Sequence, residues 1–289
     1  MPVSSRHRPD RCPALFRPWP ADDGLLVRLR LVGGRVEVRR LRALLRVAER
    51  WGDGRLHLTG RANLQLRGLP ADPLSPGAVA AEVSEAVLAT GLVPSRSHEL
   101  VRNVMVSPQT GLVGGRADLR PVAIALDAAL CAHPRLADLP GRFLFVLDDG
   151  RGDLLERDCD LGVVALDDGA VQLRVGSRWG PLVAVDEVPE TLVGLAARFL
   201  DRRGDGPSAA WHVRELGSPL VPVEPVDARV PVACPPLPHG AVPGGVHVGA
   251  ADGALDRAAV GWWPDGEVVV TPWHGVLLPE PLLPEGSAA

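Results

Sequence analysis

Hydrophobic and polar residues alternate along several segments of the chain, and the period of the alternation predicts strands and helices. Apolar and arginine residues alternate from Leu25 to Leu31, and a longer alternation runs from Leu56 to Gly68, so both segments are predicted strands. Apolar side chains at helical spacing predict helices from Val38 to Trp51 and from Pro76 to Thr90, each followed by a glycine. Strand, helix, strand and helix in this order predict a small α+β sandwich of ferredoxin-like type.

The rest of the chain continues the mixture of helices and strands. Further elements are predicted as helices at Asp118–Cys131 and Val188–Arg203 and strands at Arg142–Leu147, Leu161–Leu166, Ala170–Val175 and Ala210–Leu216. After a proline-dense stretch come a strand at Val246–Gly249, a short helix near Ala251–Gly261 and a strand at Glu267–Leu278. The segments Gly54–Thr59 and Gly266–Thr271 precede comparable strands, which indicates a partial internal repeat.

These patterns divide the chain into five parts. We predict an irregular arm at 1–20, a ferredoxin-like half-domain at 21–92, an α/β domain at 93–216, a proline-rich linker at 217–245 and a second, partial half-domain at 246–289.

Composition narrows the class of protein. The 289 residues are 46% hydrophobic and 23% charged, with a net charge of −4, which is typical of a globular protein and unlike a nucleic-acid-binding domain. No apolar run reaches the ~20 residues that span a bilayer, and the first twenty residues lack the apolar core of a secretory signal. We therefore expect a cytoplasmic protein that binds neither nucleic acid nor membrane.

The cysteines do not predict a metal site. Cys12, Cys131, Cys159 and Cys234 lie far apart, and no C-x2-C or C-x3-C pair occurs. Metal and cluster sites normally take at least two ligands from one short turn, so reduced, unligated thiols are expected.

One predicted strand carries candidate chemistry. Within 56–67 one face is apolar, and the other presents His57, Thr59, Arg61, Asn63, Gln65 and Arg67. The strand at 25–31 adds Arg28 and Arg30. If the two strands are neighbours, their guanidinium groups form a cationic face that suits a polyanion with several carboxylates.

An ordinary half-solvated sheet would show the same alternation. None of the 31 basic residues is lysine and tyrosine is absent, so a GC-rich gene explains part of the arginine excess. Asn63 favours the functional interpretation, because asparagine occurs only twice here and is depleted in strands. The other asparagine, Asn103, follows Arg102 just before a Pro/Gly loop, where substrate-facing backbone could lie.

Three ordered motifs carry a resemblance to a known family. They are LTGRANLQLRG at 58–68, RNVMVSPQTG at 102–111 and LPGRFLFVLDDG at 139–150, with CPALF at 12–16 and TPWHGVL at 271–277. Together they resemble the nitrite/sulfite reductase superfamily and, within it, the precorrin-3B synthases of aerobic cobalamin biosynthesis.

The resemblance implies a pseudo-twofold α+β protein in which ferredoxin-like half-domains accompany a haem-type α/β domain. An anionic tetrapyrrole is then the expected partner. Its carboxylates would be bound by Arg28, Arg30, Thr59, Arg61, Asn63, Gln65, Arg67, Arg102, Asn103 and Arg142. No catalytic residue is identified.

Two departures from the family pattern bear on function. Arg142 falls where sulfite reductases have the first lysine of an anion site, and Leu144 falls where they have the second. A leucine cannot bind sulfite, so the precorrin branch is favoured. The family's [4Fe–4S] ligands, C-x5-C and C-x3-C, have no counterpart here, so cluster binding is not expected of this chain.

Three functions remain open from the sequence. The first is a precorrin-3B synthase-type monooxygenase that hydroxylates precorrin-3A and closes a lactone, with its redox centre supplied by a separate C-terminal subunit. The second is a cluster-less tetrapyrrole-binding or scaffold module, and the third is a non-functional fragment of a split enzyme. Without a cluster domain, we expect Trp262, Trp263 and the 271–278 strand to form an exposed apolar patch or a homodimer contact.

Overall fold

The computed structural model describes residues 10–282, and the chain folds as two compact units. We call residues 12–99 and 236–282 the repeat unit, and residues 10–11 and 100–235 the central unit. The long insertion that forms the central unit thus divides the repeat unit into two stretches of chain.

The first stretch of the repeat unit contains seven strands and two helices. The strands are β1 (Trp19–Ala21), β2 (Gly24–Leu29), β3 (Arg35–Glu37), β4 (Leu56–Leu58), β5 (Leu64–Leu69), β6 (Ala71–Asp72) and β7 (Ser75–Val79), and the helices are α1 (Val38–Trp51) and α2 (Ala81–Ala89). Helix α1 has the predicted bounds, because its apolar stripe, which includes Leu41, Leu44 and Ala48, is buried in the core.

The central unit is one mixed sheet with two main helices. Its elements are β8 (Val104–Val106), α3 (Arg120–Ala132), β9 (Phe145–Asp148), β10 (Leu161–Ala165), β11 (Ala170–Val175), β12 (Arg178–Ala184) and α4 (Val188–Arg202). The strand order is β12-β11-β10-β9-β8, with parallel pairing from β8 to β10 and antiparallel pairing from β10 to β12. Helices α3 and α4 pack against each other and against strands of this sheet.

The second stretch of the repeat unit repeats the order of the first. Its elements are β13 (Gly240–Val242), β14 (Gly245–Gly249), β15 (Ala254–Leu255), α5 (Arg257–Gly261), β16 (Glu267–Val270) and β17 (Gly275–Pro279). Short 3-10 turns at Val32–Gly34 and Ala251–Gly253 precede β3 and β15 at the same place in each half. The predicted internal repeat and the α+β fold class are confirmed.

The two halves of the repeat unit exchange a strand. The sheets have the orders β1-β2-β5-β4-β15 and β13-β14-β17-β16-β3, so β3 completes the sheet of the second half and β15 that of the first. Both exchanged strands pair antiparallel, with Val36 opposite Val268 and Leu255 opposite Leu56. Side chains from both halves form one hydrophobic core.

Two strands that the sequence predicts as continuous are hairpins. Residues 56–68 are interrupted by a turn in which the amide of Thr59 donates to the carbonyl of Asn63 at 3.0 Å. The turn in 267–278 has the same closure, Thr271 to Gly275 at 2.9 Å. Ala62 and His274 occupy matching positions with φ of 57° and 56°. Apolar and polar residues alternate through 56–68, so periodicity did not reveal the first turn. The second turn contains Pro272 and Gly275, which are typical turn residues.

Two smaller predictions of secondary structure are also wrong. The helix predicted from Pro76 begins at Ala81, because residues 75–79 pair with β6 as a strand. The strand predicted at 210–216 is instead irregular chain with a 3-10 turn at Val213–Glu215.

The predicted apolar patch is mostly absent. Val276, Leu277, Leu278 and Trp263 are buried, whereas Trp262 is 58% exposed. Strand β17 lies inside its sheet between β14 and β16, which is why it needs no further covering. No helix within residues 10–282 is long and apolar enough to cross a membrane.

Gly34 is predicted to be indispensable for the strand exchange. It has φ +73°, and a Cβ there would lie 2.0 Å from the carbonyl oxygen of Val270 in the other half. Gly54 has a similar φ of +78° but open space around it. Gly54→Ala should therefore cost only the conformational term, about 1–2 kcal/mol, whereas Gly34→Ala should cost clearly more. Chemical unfolding of both variants measures this difference, and equal losses would contradict it.

Candidate anion-binding site

The two strands with alternating arginines are neighbours, and their pairing brings Arg28 to Gln65. Strands β2 and β5 are antiparallel, with Arg28 opposite Gln65. The Nε and Nη2 of Arg28 donate to Oε1 of Gln65 at 3.0 and 2.5 Å. Because this acceptor is a neutral amide, the charge of Arg28 is not neutralised by it. The amide nitrogen of Gln65 makes no hydrogen bond within the described residues and is left as a donor.

A second arginine on β2's continuation is buried beside the first. Arg30 is 3% exposed, and its Nη1 donates to the carbonyl of Pro13 at 3.2 Å. The pKa of Arg30 is lowered to about 10, mainly by burial; Cys12 and Glu99 oppose this, and Arg28 and Arg61 contribute to it. The three arginines therefore lie close enough to repel one another. We call Arg28, Arg30 and Arg61 the arginine cluster.

Glu99 is the nearby carboxylate that limits this positive charge. Burial is the largest influence on its pKa and raises it. Its two oxygens accept from the amides of Leu15 and Phe16, both at 2.9 Å. Glu99 thus fixes the segment whose Pro13 carbonyl accepts from Arg30, and it also acts electrostatically on Arg30.

The β4–β5 turn places Arg61 and Asn63. Oγ1 of Thr59 accepts from the amides of Arg61 and Asn63 at 3.3 and 3.1 Å, which shapes the turn. Because the turn interrupts the strand, side chains no longer point to opposite faces in turn, and Asn63 is buried instead of lying on an outward face. Its Oδ1 accepts from the amide of Leu31 at 2.9 Å. Its Nδ2 has no hydrogen-bond partner within residues 10–282 although the residue is only 1% exposed. A buried donor without an acceptor is costly, and a ligand oxygen would satisfy it.

Arg67 differs from the arginine cluster because it is paired. Its Nε and Nη2 donate to the carboxylate of Asp23 at 3.0 and 3.4 Å at the surface. This hydrogen bond lowers the pKa of Asp23. The positive charge of Arg67 is therefore compensated, and the alternation could not distinguish it from Arg28.

The remaining candidate residues belong to the central unit and make structural contacts there. Arg102 forms a bidentate pair with Asp127 at 2.6 and 2.7 Å. The amide nitrogen of Asn103 donates to three backbone carbonyls, at Leu100, Gly141 and Phe143. Arg142 is exposed, with its guanidinium 5.4 Å from the centre of the Trp211 ring. A ligand role for these three residues stays a prediction.

Sequence reasoning missed Pro13 and Glu99 as parts of the site. Pro13 lies in the CPALF motif, and its contribution is a carbonyl oxygen, which no side-chain pattern reveals. Glu99 follows a histidine and has no metal-ligand spacing, so it had no distinguishing signal. The one available signal in the sequence was that Pro13 lies in the CPALF motif, which carries part of the family resemblance.

The cysteines do not form a ligand set for an iron–sulfur cluster. Within residues 10–282, one group of three ligating side chains converges, and it is Asp148, Asp149 and Asp153, with no thiol. Cys159 contacts the carbonyl of Gly176 through its sulfur at 3.7 Å, and burial raises its thiol pKa to about 11. A cluster needs several converging thiolates, so these residues do not fit one.

The three aspartates are a structural cluster. Asp148 accepts from the amides of Gly150, Gly152 and Leu154, as expected of a turn, and Asp149 pairs with Arg151 at 2.7 Å. Asp153 accepts from the hydroxyl of Ser107 at 2.6 Å. Burial raises the pKa of Asp153 to about 7, and the charge of Asp148 adds to this effect.

Part of the chain matches a known family model. Residues 20–76 match the nitrite/sulfite reductase ferredoxin-like half domain, and this span includes β2 to β6 and Arg28. The match is to the superfamily that the motifs resemble.

Particular relatives can then be named. A precorrin-3B synthase from Sinorhizobium sp is 35% identical over 140 residues, which are 48% of this chain and 28% of the relative. A ferredoxin–nitrite reductase from Synechococcus elongatus is 31% identical over 140 residues, 46% of this chain and 26% of the relative. The alignments thus span only about a quarter of each curated relative.

A solved structure shows the same fold. The Mycobacterium tuberculosis NirA protein superposes with a TM-score of 0.67 over 92% of this chain and 59% of its own, at 17% sequence identity. The likeness therefore includes both units, although at this identity it concerns the fold alone.

The aspartate cluster predicts a specific pH dependence of stability. The folded protein retains the Asp153 proton up to about pH 7, whereas the unfolded chain loses it near the ordinary pKa of 3.8. The free energy of unfolding should fall as pH rises between these values and level off above them. Asp153→Asn should remove this part of the fall in denaturant titrations at a series of pH values.

A second variant checks the direction in which the hydrogen bond from Ser107 shifts the pKa of Asp153. Ser107 lowers the pKa of Asp153 by its hydrogen bond, so Ser107→Ala should extend the fall to higher pH. If the profiles of both variants parallel that of the parent, Asp153 does not titrate as described.

Proposed function

We propose that this chain binds an anionic tetrapyrrole and acts within a precorrin-3B synthase-type oxidoreductase of cobalamin biosynthesis. The relationship to oxidoreductases of this superfamily supports the class of reaction, and 35% identity to a precorrin-3B synthase supports the substrate. Precorrin-3A, the proposed substrate, carries several carboxylates around a flat macrocycle.

The observation that carries the proposal is the arginine cluster of the repeat unit together with the buried amide of Asn63. Arg28 is bonded to a neutral amide, and Arg61 and Arg30 lie near it. The Nδ2 of Asn63 is buried and without an acceptor. Like charges held together cost energy in the empty protein, and carboxylates would convert this repulsion into attraction.

The central unit supports a corrinoid precursor over sulfite. Leu144, at the second lysine position of sulfite reductases, is buried, and its amide donates to Asp160 at 3.0 Å. An aliphatic side chain cannot bind a small anion, and it removes one of the two cations that the sulfite site needs.

The proposed reaction inserts one oxygen atom of O2 into precorrin-3A and releases the other as water, which requires two electrons and two protons. The acetate carboxylate that closes the lactone comes from the substrate itself. The role of the arginine cluster is to bind and orient the carboxylates. The four cysteines do not hold an electron-transfer centre, so we assign no electron-transfer step to them.

A second candidate is a binding module that holds the tetrapyrrole without turnover. The dispersed cysteines favour it, because the arginine cluster alone can bind a polyanion but cannot supply electrons. In that case a redox partner subunit would be needed before any oxidation occurs.

Binding is tested by absorbance titration with uroporphyrin III, an octacarboxylate tetrapyrrole. Arg28→Gln should weaken its affinity about tenfold, because one charge-assisted contact is lost. Gln65→Glu should weaken it similarly while preserving the fold, since the new carboxylate would pair with Arg28.

Arg46→Gln is the matched control, because Arg46 is an exposed arginine on α1 with no side-chain hydrogen bond or ion pair within the described residues. It should bind like the parent. Equal affinities in all four proteins would refute the arginine cluster as the site.

Activity distinguishes the two candidates. The purified chain is incubated with precorrin-3A, O2 and a chemical reductant, and the product is analysed by mass spectrometry. An enzyme complete in this chain gives a product that contains one additional oxygen atom. Saturable binding without this product would favour the binding module, and oxidation restored only by a second subunit would favour a divided enzyme.

A further inference from the structure

We infer that the central unit contains a second binding site, for a small aromatic carboxylate, at the edge of its sheet. A cavity open to solvent on one side lies between the β11–β12 hairpin and the chain that follows the 3-10 turn at Val213–Glu215.

The wall of the cavity has an apolar part, one component of which is aromatic, beside a polar part. Val175 and Val213 form buried parts of the lining, and the half-buried indole of Trp179 forms another. Val223 lies at the rim and is 54% exposed. Apolar walls hold water poorly, so a flat hydrophobic body would gain free energy by replacing solvent here.

The charged groups around the cavity are mainly arginines. Arg178 lines the cavity, and its side chain makes no hydrogen bond or ion pair to any residue that the structure describes. Arg214 also lines it, and its ion pair with Asp158 is long, 3.6 Å, with Asp158 97% exposed. Such a solvated pair contributes little and can exchange its partner. Both guanidinium groups can therefore donate hydrogen bonds to the carboxylate of a ligand.

A third arginine stabilises the aromatic wall. The guanidinium of Arg174 lies 5.9 Å from the ring centre of Trp179 and donates to the carbonyls of Leu154 and Arg157. Two acidic residues belong to the chain around the cavity. Glu215 accepts from the amide of Trp211 at 2.8 Å, and the amide of Glu224 donates to the carbonyl of Trp179. Neither lines the cavity, whereas Arg178 and Arg214 do, so the charged part of the lining favours an anion.

The apolar part of the wall and the arginines at the rim together indicate the class of ligand. A simple phosphate or sulfate would leave the apolar wall wet, and a neutral aromatic molecule would leave Arg178 without a partner. A planar aromatic ring with one carboxylate satisfies both, because the ring can lie against Trp179 while the carboxylate accepts from the rim arginines. None of the residues in this site belongs to the arginine cluster or to the three motifs of the superfamily.

The test is calorimetric titration of the full chain with 1-naphthoate, compared with neutral naphthalene-1-methanol. Naphthoate should bind saturably and more tightly than the alcohol. Arg178→Gln should weaken naphthoate affinity about tenfold and leave that of the alcohol unchanged. Val223→Trp, which places an indole at the opening, should abolish binding of both.

Arg198→Gln is the matched control, since Arg198 is exposed on α4 and does not line the cavity. All three substitutions replace exposed side chains, and thermal unfolding verifies that each variant is folded. Absence of saturable naphthoate binding to the parent overturns the inference. Equal weakening by Arg198→Gln and Arg178→Gln also overturns it, as does unaltered binding to Val223→Trp.

Discussion

The exchange of β3 and β15 between two similar halves is the constraint on which the repeat unit depends. Each half supplies four strands of its own sheet and leaves an edge that the other half completes. Unpaired strand edges are costly and prone to association, so neither half is self-sufficient. The close approach of Gly34 to Val270 is one consequence, because the exchanged strand must enter the other sheet directly after a tight turn.

The same arrangement holds the candidate ligand site in place. The β4–β5 turn that presents Arg61 and Asn63 has a counterpart between β16 and β17, where Trp273 and Gly275 occupy the corresponding positions. His274 contacts the carbonyl of Leu58 through Nδ1 at 3.2 Å, so one turn supports the strand that leads to the other. The backbone geometry was kept in both copies, while arginine and asparagine occur in only one.

The proposed function divides between ligand binding, which we assign to the repeat unit, and electron transfer, for which the cysteines offer no ligand set. Arg28, Arg30 and Arg61 concentrate positive charge on a rigid sheet, and Glu99 anchors the neighbouring chain without pairing directly with Arg28. Preorganised charge of this kind favours a polyanion, since the repulsion is already present before the ligand arrives. Arg67 and Arg102, by contrast, are paired with carboxylates, and any ligand would have to compete with Asp23 or Asp127.

The amino-acid sequence by itself determined the α+β class and the bounds of α1, because these depend on local periodicity, and its contiguous motifs carried the resemblance to the nitrite/sulfite reductase superfamily. It did not reveal the turn at 59–63, since apolar and polar residues alternate through that segment. Pro272 and Gly275 do signal the turn at 271–275, which the strand predicted at 267–278 overlooked. Nor could the sequence separate Arg28 from Arg67. Both alternate alike along their strands, and only the tertiary structure brings a carboxylate to one and a neutral amide to the other. Whether the charge of an arginine is compensated depends on residues distant in the chain, so no local pattern predicts it.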